Sequence, residues 1–382
     1  MKKSICLFCA NYLPNLGGVE RYVNNLAKQL VSFGHDVTIV TSNVFDLPGY
    51  EVSNEGVEIF RMPCYNVMKG RYPILKKNQE FKELDKKLSQ KHFDIAVINA
   101  RFYIHSVYAA KFAYKNNIPS ITIEHGSSHL SVNNKVLDFF GAIYEHCLTR
   151  VLKKYCKDYY GVSQAACDWS GHFGIKSKGM LYNAIDIDNI KQLEKENTIS
   201  YRKEYNIPKD ATVITYTGRL VKEKGSYELA KAFHSLGDSN AYLIIAGEGE
   251  QSEKIKTVSD QNDRIIMLGK IDFNHIVALL CEADIFCLPT VYPEGLPTSI
   301  LEAVALKNFV VTTTVGGAKE LITDDSMGIL INDNAVPKIA QALQKAISDK
   351  DYRLAATQKC YQRLIQDFTW ETTAKKLESL VK

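Results

Sequence analysis

The chain has 382 residues, 46% hydrophobic and 24% charged, with a formal net charge of +4 and nine cysteines. That length holds two domains, and that composition excludes a disordered or collagen-like chain. The sequence contains no run of about eighteen apolar residues, which argues against a membrane-spanning helix. An odd, scattered set of thiols points to reduced cysteines and a cytoplasmic setting rather than to a disulfide framework.

The net charge hides an asymmetry. Residues 1–185 hold 23 Lys and Arg against 15 Asp and Glu, a balance of +8, and residues 186–382 hold 24 against 28, a balance of −4. A basic half beside an acidic half implies two jobs. The basic half suits an anionic lipid surface or an anionic acceptor. No nucleic-acid-binding motif accompanies the charge, so nucleic acid is not expected as a partner.

In chain order, apolar residues 4–10 read as a first strand rather than a leader peptide, because Asn11 and Pro14 end the run. Cys6 and Cys9 lie inside that strand, three positions apart on opposite faces, and read as buried thiols. Gly17 and Gly18 open a helix with Val23, Leu26, Ala27 and Leu30 on one face, and Val37 to Thr41 is a second strand. This βαβ unit implies a parallel sheet. The glycine pair lets a ligand approach the backbone at the start of the helix. The dinucleotide fingerprint G-x-G-x-x-G is absent, since Gly247 and Gly249 are followed by Ser252, and a Walker loop is absent too. A dehydrogenase or NTPase is therefore disfavoured.

Residues 61–91 interleave nine basic side chains, among them Arg71, Lys76 and Lys87, with Tyr65, Val67, Met68 and Tyr72. They read as a loop and a solvated helix, or as a surface facing a membrane or acceptor. Phe93 to Asn99 is a strand, and Ile118 to Glu124 is another that runs into His125-Gly126-Ser127-Ser128-His129. His125 sits where open α/β sheets bind ligands, beyond a strand's carboxyl end. Residues 136–157 carry a wide apolar stripe, including Val136, Leu137, Phe140 and Ile143, expected to pack on the sheet. Asp186 and Asp188 form an Asp-x-Asp; Asp188 is expected to cap a short helix, so no metal site is assigned.

The alternation restarts at Thr212 to Thr217. Gly218-Arg219-Leu220-Val221-Lys222-Glu223-Lys224-Gly225 then places a guanidinium and an ammonium at a helix start, a combination that can clamp a diphosphate. Lys222 lies near enough to share the role with Lys224. Strands follow at 241–246 and 264–269, with Lys270 and Ile271 after the second. A buried strand then runs into Val291-Tyr292-Pro293-Glu294-Gly295-Leu296-Pro297-Thr298-Ser299. Two prolines flanking a glycine exclude regular structure there, and Thr298 or Ser299 is expected to cap the next helix. Glu294 falls in the loop and Glu302 one turn into the helix. Two carboxylates beside a phosphate-binding helix start suit a ligand that carries both hydroxyls and phosphates. Phe309 to Thr313 reads as the last strand.

The pair Glu294 and Glu302 with Gly-Leu-Pro between them resembles the signature of the retaining GT-B glycosyltransferases of family 4, also called glycosyltransferase group 1. The segment 14–20 resembles that family's first glycine-rich loop. Gly218 to Gly225 resembles its Gly-Arg-x5-Lys-Gly loop, one residue shorter, and 182–188 resembles the joint between its domains, with Ala184 for the usual glycine.

The resemblance implies an α/β GT-B fold of two doubly wound Rossmann-like domains facing each other across a cleft. Residues 1–185 would bind the acceptor, 186–365 the nucleotide sugar, and 366–382 would form a helix crossing back to the first domain. It implies a retaining, metal-independent hexosyl transfer with no cofactor. The donor would be a UDP-sugar, with GDP-mannose second, and the acceptor a glycan or glycolipid, lipid-linked, in bacterial surface polysaccharide synthesis. The enzyme would be cytoplasmic, peripheral at the inner membrane face. The catalytic set would be His125, Arg219, Lys224 and Glu294. Gly17, Gly18, Ile271, Gly295, Leu296, Pro297, Thr298 and Glu302 would join the last three around the donor. A nucleotide-sugar 2-epimerase on the same plan is the alternative.

Overall fold

The computed structural model describes every residue except 16, 69, 130–133, 238, 239, 293, 294 and 382. The chain forms two compact units, residues 1–183 with 370–382, and residues 184–369.

Among the described residues, the first unit carries an eight-stranded sheet. Its strands are β1 (Ser4–Phe8), β2 (Asp36–Asn43), β3 (Tyr50–Val52), β4 (Glu58–Val67), β5 (Tyr72–Leu75), β6 (Ile95–Asn99), β7 (Ser120–Glu124) and β8 (Asp158–Gly161). The spatial order is β3-β4-β2-β1-β6-β7-β8, with β5 paired to β4. Pairings from β4 through β8 are parallel, while β3 and β5 run antiparallel to β4. The central strands are apolar on both faces, as a sheet covered by helices requires. Phe8, Val40, Phe60, Ile98 and Phe112 are among the buried residues of its main apolar cluster. Each such side chain contributes about 1.5–3 kcal/mol by leaving water. Cys6 and Cys9 are buried free thiols, as read.

Among the described residues, the second unit carries a six-stranded, wholly parallel sheet: β9 (Thr212–Thr217), β10 (Ala241–Ala246), β11 (Ile265–Gly269), β12 (Ile285–Leu288), β13 (Phe309–Thr313) and β14 (Ile329–Ile331). Its order is β11-β10-β9-β12-β13-β14. The chain winds outward from β9 through β10 to β11, then returns to the other side of β9 with β12. That reversal is a topological switch point, which opens a crevice at the strands' carboxyl ends. The first unit reverses in the same way between β1 and β6.

Several local readings need correction. Residues 61–67 belong to β4, of which Cys64–Val67 pair with β5 as a hairpin, so only 79–89 is helical. β3 and β14 went unread; each is three residues long, too short to carry a period-2 signal. Asp186, not Asp188, caps the helix Ile187–Glu196, accepting from Asn189 N at 3.0 Å. Pro297 holds the N-cap of Thr298–Ala305 and no side chain caps it, so neither Thr298 nor Ser299 plays that part.

The largest departure is the helix Lys135–Tyr155. Its apolar stripe does not pack on the sheet: Val136, Leu137, Phe139, Phe140 and Ile143 are exposed, Phe139 to 63%. The buried positions are Glu145, Thr149 and Leu152, spaced by four and three. Glu145 and Thr149 are buried because they meet a guanidinium, described below. Tyr144 joins this helix to β5, since the Tyr72 hydroxyl donates to the Tyr144 hydroxyl at 2.8 Å. Among the described residues, no helix is long and apolar enough to cross a membrane.

Candidate active site

In the second unit, the sequence-selected residues gather at the carboxyl ends of the parallel strands. Gly218 and Arg219 follow β9, Ile271 follows β11, and the segment from Pro289 onward follows β12. The loops after β9 and β12, which flank the switch point, are tied together. The Val291 N–H donates to the Glu223 carbonyl at 2.7 Å, and the Thr290 hydroxyl donates to the same oxygen at 3.3 Å. The Tyr292 ring then lies close to both cations, 5.8 Å from the Arg219 guanidinium and 5.5 Å from Lys224 Nζ. Sequence reasoning assigned Tyr292 no part; an aromatic beside a motif carries no signal without knowing which loop faces it.

Backbone geometry enforces this approach. Gly225 has φ 71°, and a Cβ there would strike the Pro289 carbonyl oxygen. Gly247 has φ 148°, and a Cβ there would strike the Gly218 carbonyl oxygen. Both positions need glycine for conformation and for space. The Tyr216 hydroxyl donates to the Arg219 carbonyl at 2.8 Å and holds the start of the loop. Gly295 accepts at its carbonyl from Gly317 N at 2.8 Å, and Leu296 is buried. Glu302 is buried one turn into its helix. With no side-chain cap on that helix, its first-turn N–H groups and the positive dipole end suit an anion. Ile271 packs against the cluster containing Ile244 and Ile266. Glu294 lies outside the described residues.

In the first unit, Asn99 ends β6 and His125 follows β7. Asn99 Nδ2 donates to the Phe8 carbonyl at 3.1 Å, which leaves its Oδ1 to face His125 Nε2 at 3.0 Å. An amide oxygen only accepts, so Nε2 carries the proton and Nδ1 the lone pair. Desolvation lowers the His125 pKa to about 3, so the ring is neutral at ordinary pH. It is therefore an acceptor at Nδ1 and not a cation. The Tyr22 ring braces it edge-on at 4.8 Å, and Trp370 packs on Tyr22 at 5.2 Å.

Glu124 orients the segment through the backbone rather than through the ring. Its Oε1 accepts from His125 N at 3.1 Å and from Gly126 N at 3.2 Å. Its other oxygen pairs with Arg101 Nε at 2.6 Å. Arg101, only 1% exposed, also meets Glu145 Oε2 at 3.3 Å and Thr149 Oγ1 at 3.1 Å, and lies over the Phe173 ring. Burial pulls the Glu124 carboxyl above the usual range, and Arg101 pulls it back. Sequence reasoning missed Arg101, since its partners stand 23, 44 and 48 positions away.

The glycine pair behaves differently from expectation. Gly17 is the N-cap of the helix Gly18–Ser32 in an extended conformation, so neither glycine is needed for a left-handed turn. The Glu20 carboxylate folds back over the helix start, where Asn15 Nδ2 donates to it at 2.8 Å, and a Cβ on Gly17 would collide with it. Burial raises the Glu20 pKa. An anion at this helix start would have to displace or protonate that carboxylate.

The comparisons with known proteins agree with this architecture. The model for glycosyl transferases group 1 matches residues 197–363, and that for glycosyltransferase family 4 matches residues 16–189. An uncharacterised glycosyltransferase of Methanocaldococcus jannaschii is 24% identical over 391 residues, covering 99% of this chain and 98% of that protein. The capsular polysaccharide biosynthesis glycosyltransferase CapM of Staphylococcus aureus is 28% identical, covering 53% of this chain and 52% of that protein. The crystal structure of Anabaena HepE in complex with UDP aligns over 99% of both chains at 16% identity, with a TM-score of 0.73. With one family model on each half and the GT-B fold throughout, the chain belongs to the group 1 glycosyltransferases.

Proposed function

We propose that the protein transfers a hexose from a nucleoside-diphosphate sugar, UDP-linked first and GDP-mannose second, to a lipid-linked glycan, with retention of anomeric configuration. The observation that carries this reading is the pair Arg219 and Lys224 around Tyr292 at the switch point of the second unit. The UDP bound in the Anabaena neighbour supports the base, and the CapM relative supports the polysaccharide setting. The second unit takes the donor and the first takes the acceptor. As the bond from C1 to the diphosphate breaks, negative charge grows on the leaving oxygen. Arg219, Lys224 and the first-turn N–H groups of Thr298–Ala305 stabilise that charge. The acceptor hydroxyl adds to C1 on the same face, and its proton passes to the departing phosphate oxygen. His125 accepts a hydroxyl hydrogen at Nδ1 and orients it. No divalent ion is required, because two cationic side chains fill its role. Turnover of UDP- or GDP-sugars in excess EDTA, with the product anomer read by NMR, tests this. Loss of activity restored by Mg²⁺ or Mn²⁺ would bring Asp186 and Asp188 back as metal ligands. A C2 epimer formed without acceptor would replace transfer by isomerisation, a reaction the comparisons do not support.

Within this reading, Glu302 holds the ribose hydroxyls and Glu294 the sugar hydroxyls. A ribose contact is equal in ground and transition states, so Glu302→Gln should raise donor KM about tenfold with kcat nearly unchanged. Glu294→Gln should lower kcat instead, because it loosens the reacting ring. Donor-saturation kinetics on both variants decides the assignment, and the opposite split reverses it.

The exposed face of Lys135–Tyr155 and the exposed Tyr65 and Met68 of the β4–β5 hairpin supply the apolar part of a docking surface for an anionic membrane. Arg71 and the basic balance of the first half supply the charge. Binding to anionic vesicles should weaken as salt rises, since screening acts over about 10 Å at 0.1 M. Phe139→Ser with Phe140→Ser should weaken it by about tenfold per phenylalanine, each worth about 1.5 kcal/mol when buried. Equal sedimentation with neutral and anionic vesicles would remove the electrostatic part of the proposal.

A further inference from the structure

Three histidines far apart in sequence meet in the first unit. His129 lies in the loop after β7, His146 on the helix Lys135–Tyr155, and His172 at the C-cap of the helix Gln164–Gly171. One ring nitrogen from each lies within 4.8 Å of the other two. The ring centroids are 5.8 Å (His129–His146), 5.3 Å (His129–His172) and 5.0 Å (His146–His172) apart. A zinc ion bound at about 2.0–2.1 Å by three nitrogens brings them to roughly 3.3 Å from one another. Small χ rotations of His146 and His172, both exposed, close that difference.

Independent features support two of the rings. His129 Nδ1 faces Glu145 Oε2 at 3.0 Å, and Glu145 is itself held by Arg101. A carboxylate accepts, so Nδ1 carries the proton and the lone pair stands on Nε2, on the far side of the ring from the carboxylate. A carboxylate behind an imidazole is the support that orients metal-ligating histidines. Trp169 stacks on His172 at 4.8 Å with the rings 5° from parallel, which supports the second ring from one face. A cavity of about 530 Å³ opens beside His146 and His172 and is also lined by Arg150 and Cys147. It gives an ion a path in and leaves room for a fourth ligand.

We propose that His129, His146 and His172 bind a divalent transition metal, zinc by preference, through three imidazoles, with the fourth position open to this cavity. A ligand set without carboxylate oxygens disfavours Mg²⁺ and Ca²⁺, which take oxygen shells. The ligands come from a loop and two separate helices, so an ion there staples all three segments. That loop continues from His125 and shares Glu145 and Arg101 with the buried network behind it. The site belongs wholly to the first unit and shares no residue with the proposed diphosphate cations of the second. Its test therefore stands apart from sugar transfer.

The experiment uses tag-free full-length protein stripped with chelator and titrated with ZnCl₂ by calorimetry, alongside thermal shift and Co²⁺ absorption. One equivalent should bind, the thermal midpoint should rise, and Co²⁺ should give the visible bands of a tetrahedral nitrogen-ligated site. Mg²⁺ should do none of these. His146→Ala and His172→Ala should each weaken zinc binding by at least about a hundredfold, more than the loss seen for supporting residues around metal sites. Their metal-free midpoints should match that of the stripped parent. Zinc affinity unchanged in both variants, or no tetrahedral Co²⁺ spectrum in the parent, overturns the site and leaves an aromatic packing cluster only.

Discussion

Arg219→Ala is expected to lower kcat/KM for the donor by two to three orders of magnitude while leaving the thermal midpoint of the protein unchanged. Arg219 is exposed, so its removal opens no cavity and strands no buried partner. In the donor complex it supplies a charge-assisted contact worth about 1.5–3 kcal/mol to the diphosphate. The contact strengthens as the bond to C1 breaks, because another charge develops on the leaving oxygen, so the loss falls more on the transition state than on binding. Removal of a group aimed at developing charge costs about 10²–10³ in kcat. Affinity for the free nucleoside diphosphate should fall about tenfold or more, in step with the ground-state contact. Lys at this position should recover only part, since an ammonium cannot reproduce the planar two-point hydrogen bonding of a guanidinium. Near-normal turnover of Arg219→Ala would end the clamp.

Arg101→Met should be the most destabilising change in the first unit, by about 3–5 kcal/mol, because it strands two buried carboxylates. The arginine is surrounded by Glu124, Glu145, Thr149 and the Phe173 ring, with little water to take over its hydrogen bonds. At roughly 2–4 °C per kcal/mol for a unit of this size, the midpoint should fall by about 6–20 °C. Glu145→Gln in the Arg101→Met background should restore part of the loss, since one uncompensated charge disappears. Additive losses in that double-mutant cycle would show that the groups do not act as a network. The change also reaches the candidate site. Glu124 fixes the backbone N–H groups of His125 and Gly126 through the oxygen that Arg101 does not hold. A variant still folded at low temperature should therefore keep donor affinity and lose turnover.

The two expectations differ in how they could be reached. The placement of Arg219, Lys224 and Gly225 was legible because it is local: a glycine-bounded pair of cations marks the passage from a strand to a helix in any context. The wholly parallel second sheet was legible for a related reason, since alternating apolar runs and helices admit few topologies. His125 was singled out by position alone, as the residue after a strand's carboxyl end, and the structure places it there. The amide that sets its tautomer, Asn99, sits on another strand and gave no sign. The stripe on Lys135–Tyr155 was misread because an apolar period records a face without saying what covers it. Here the buried face carries Glu145 and Thr149, and the apolar face is left to solvent.

By itself the sequence determined the class of the molecule: two α/β halves, strand ends marked by glycine, and a cationic loop between a strand and a helix. These follow from residues within a few positions of each other, where steric and hydrogen-bonding preferences act directly. The tertiary structure alone decided that Arg101 is buried among carboxylates and that Tyr292 lies close to both Arg219 and Lys224. It alone brought His129, His146 and His172 together. Those are juxtapositions across dozens of residues. They arise from the order of strands in a sheet and the packing of helices upon it, and composition or periodicity along one stretch of chain does not encode them.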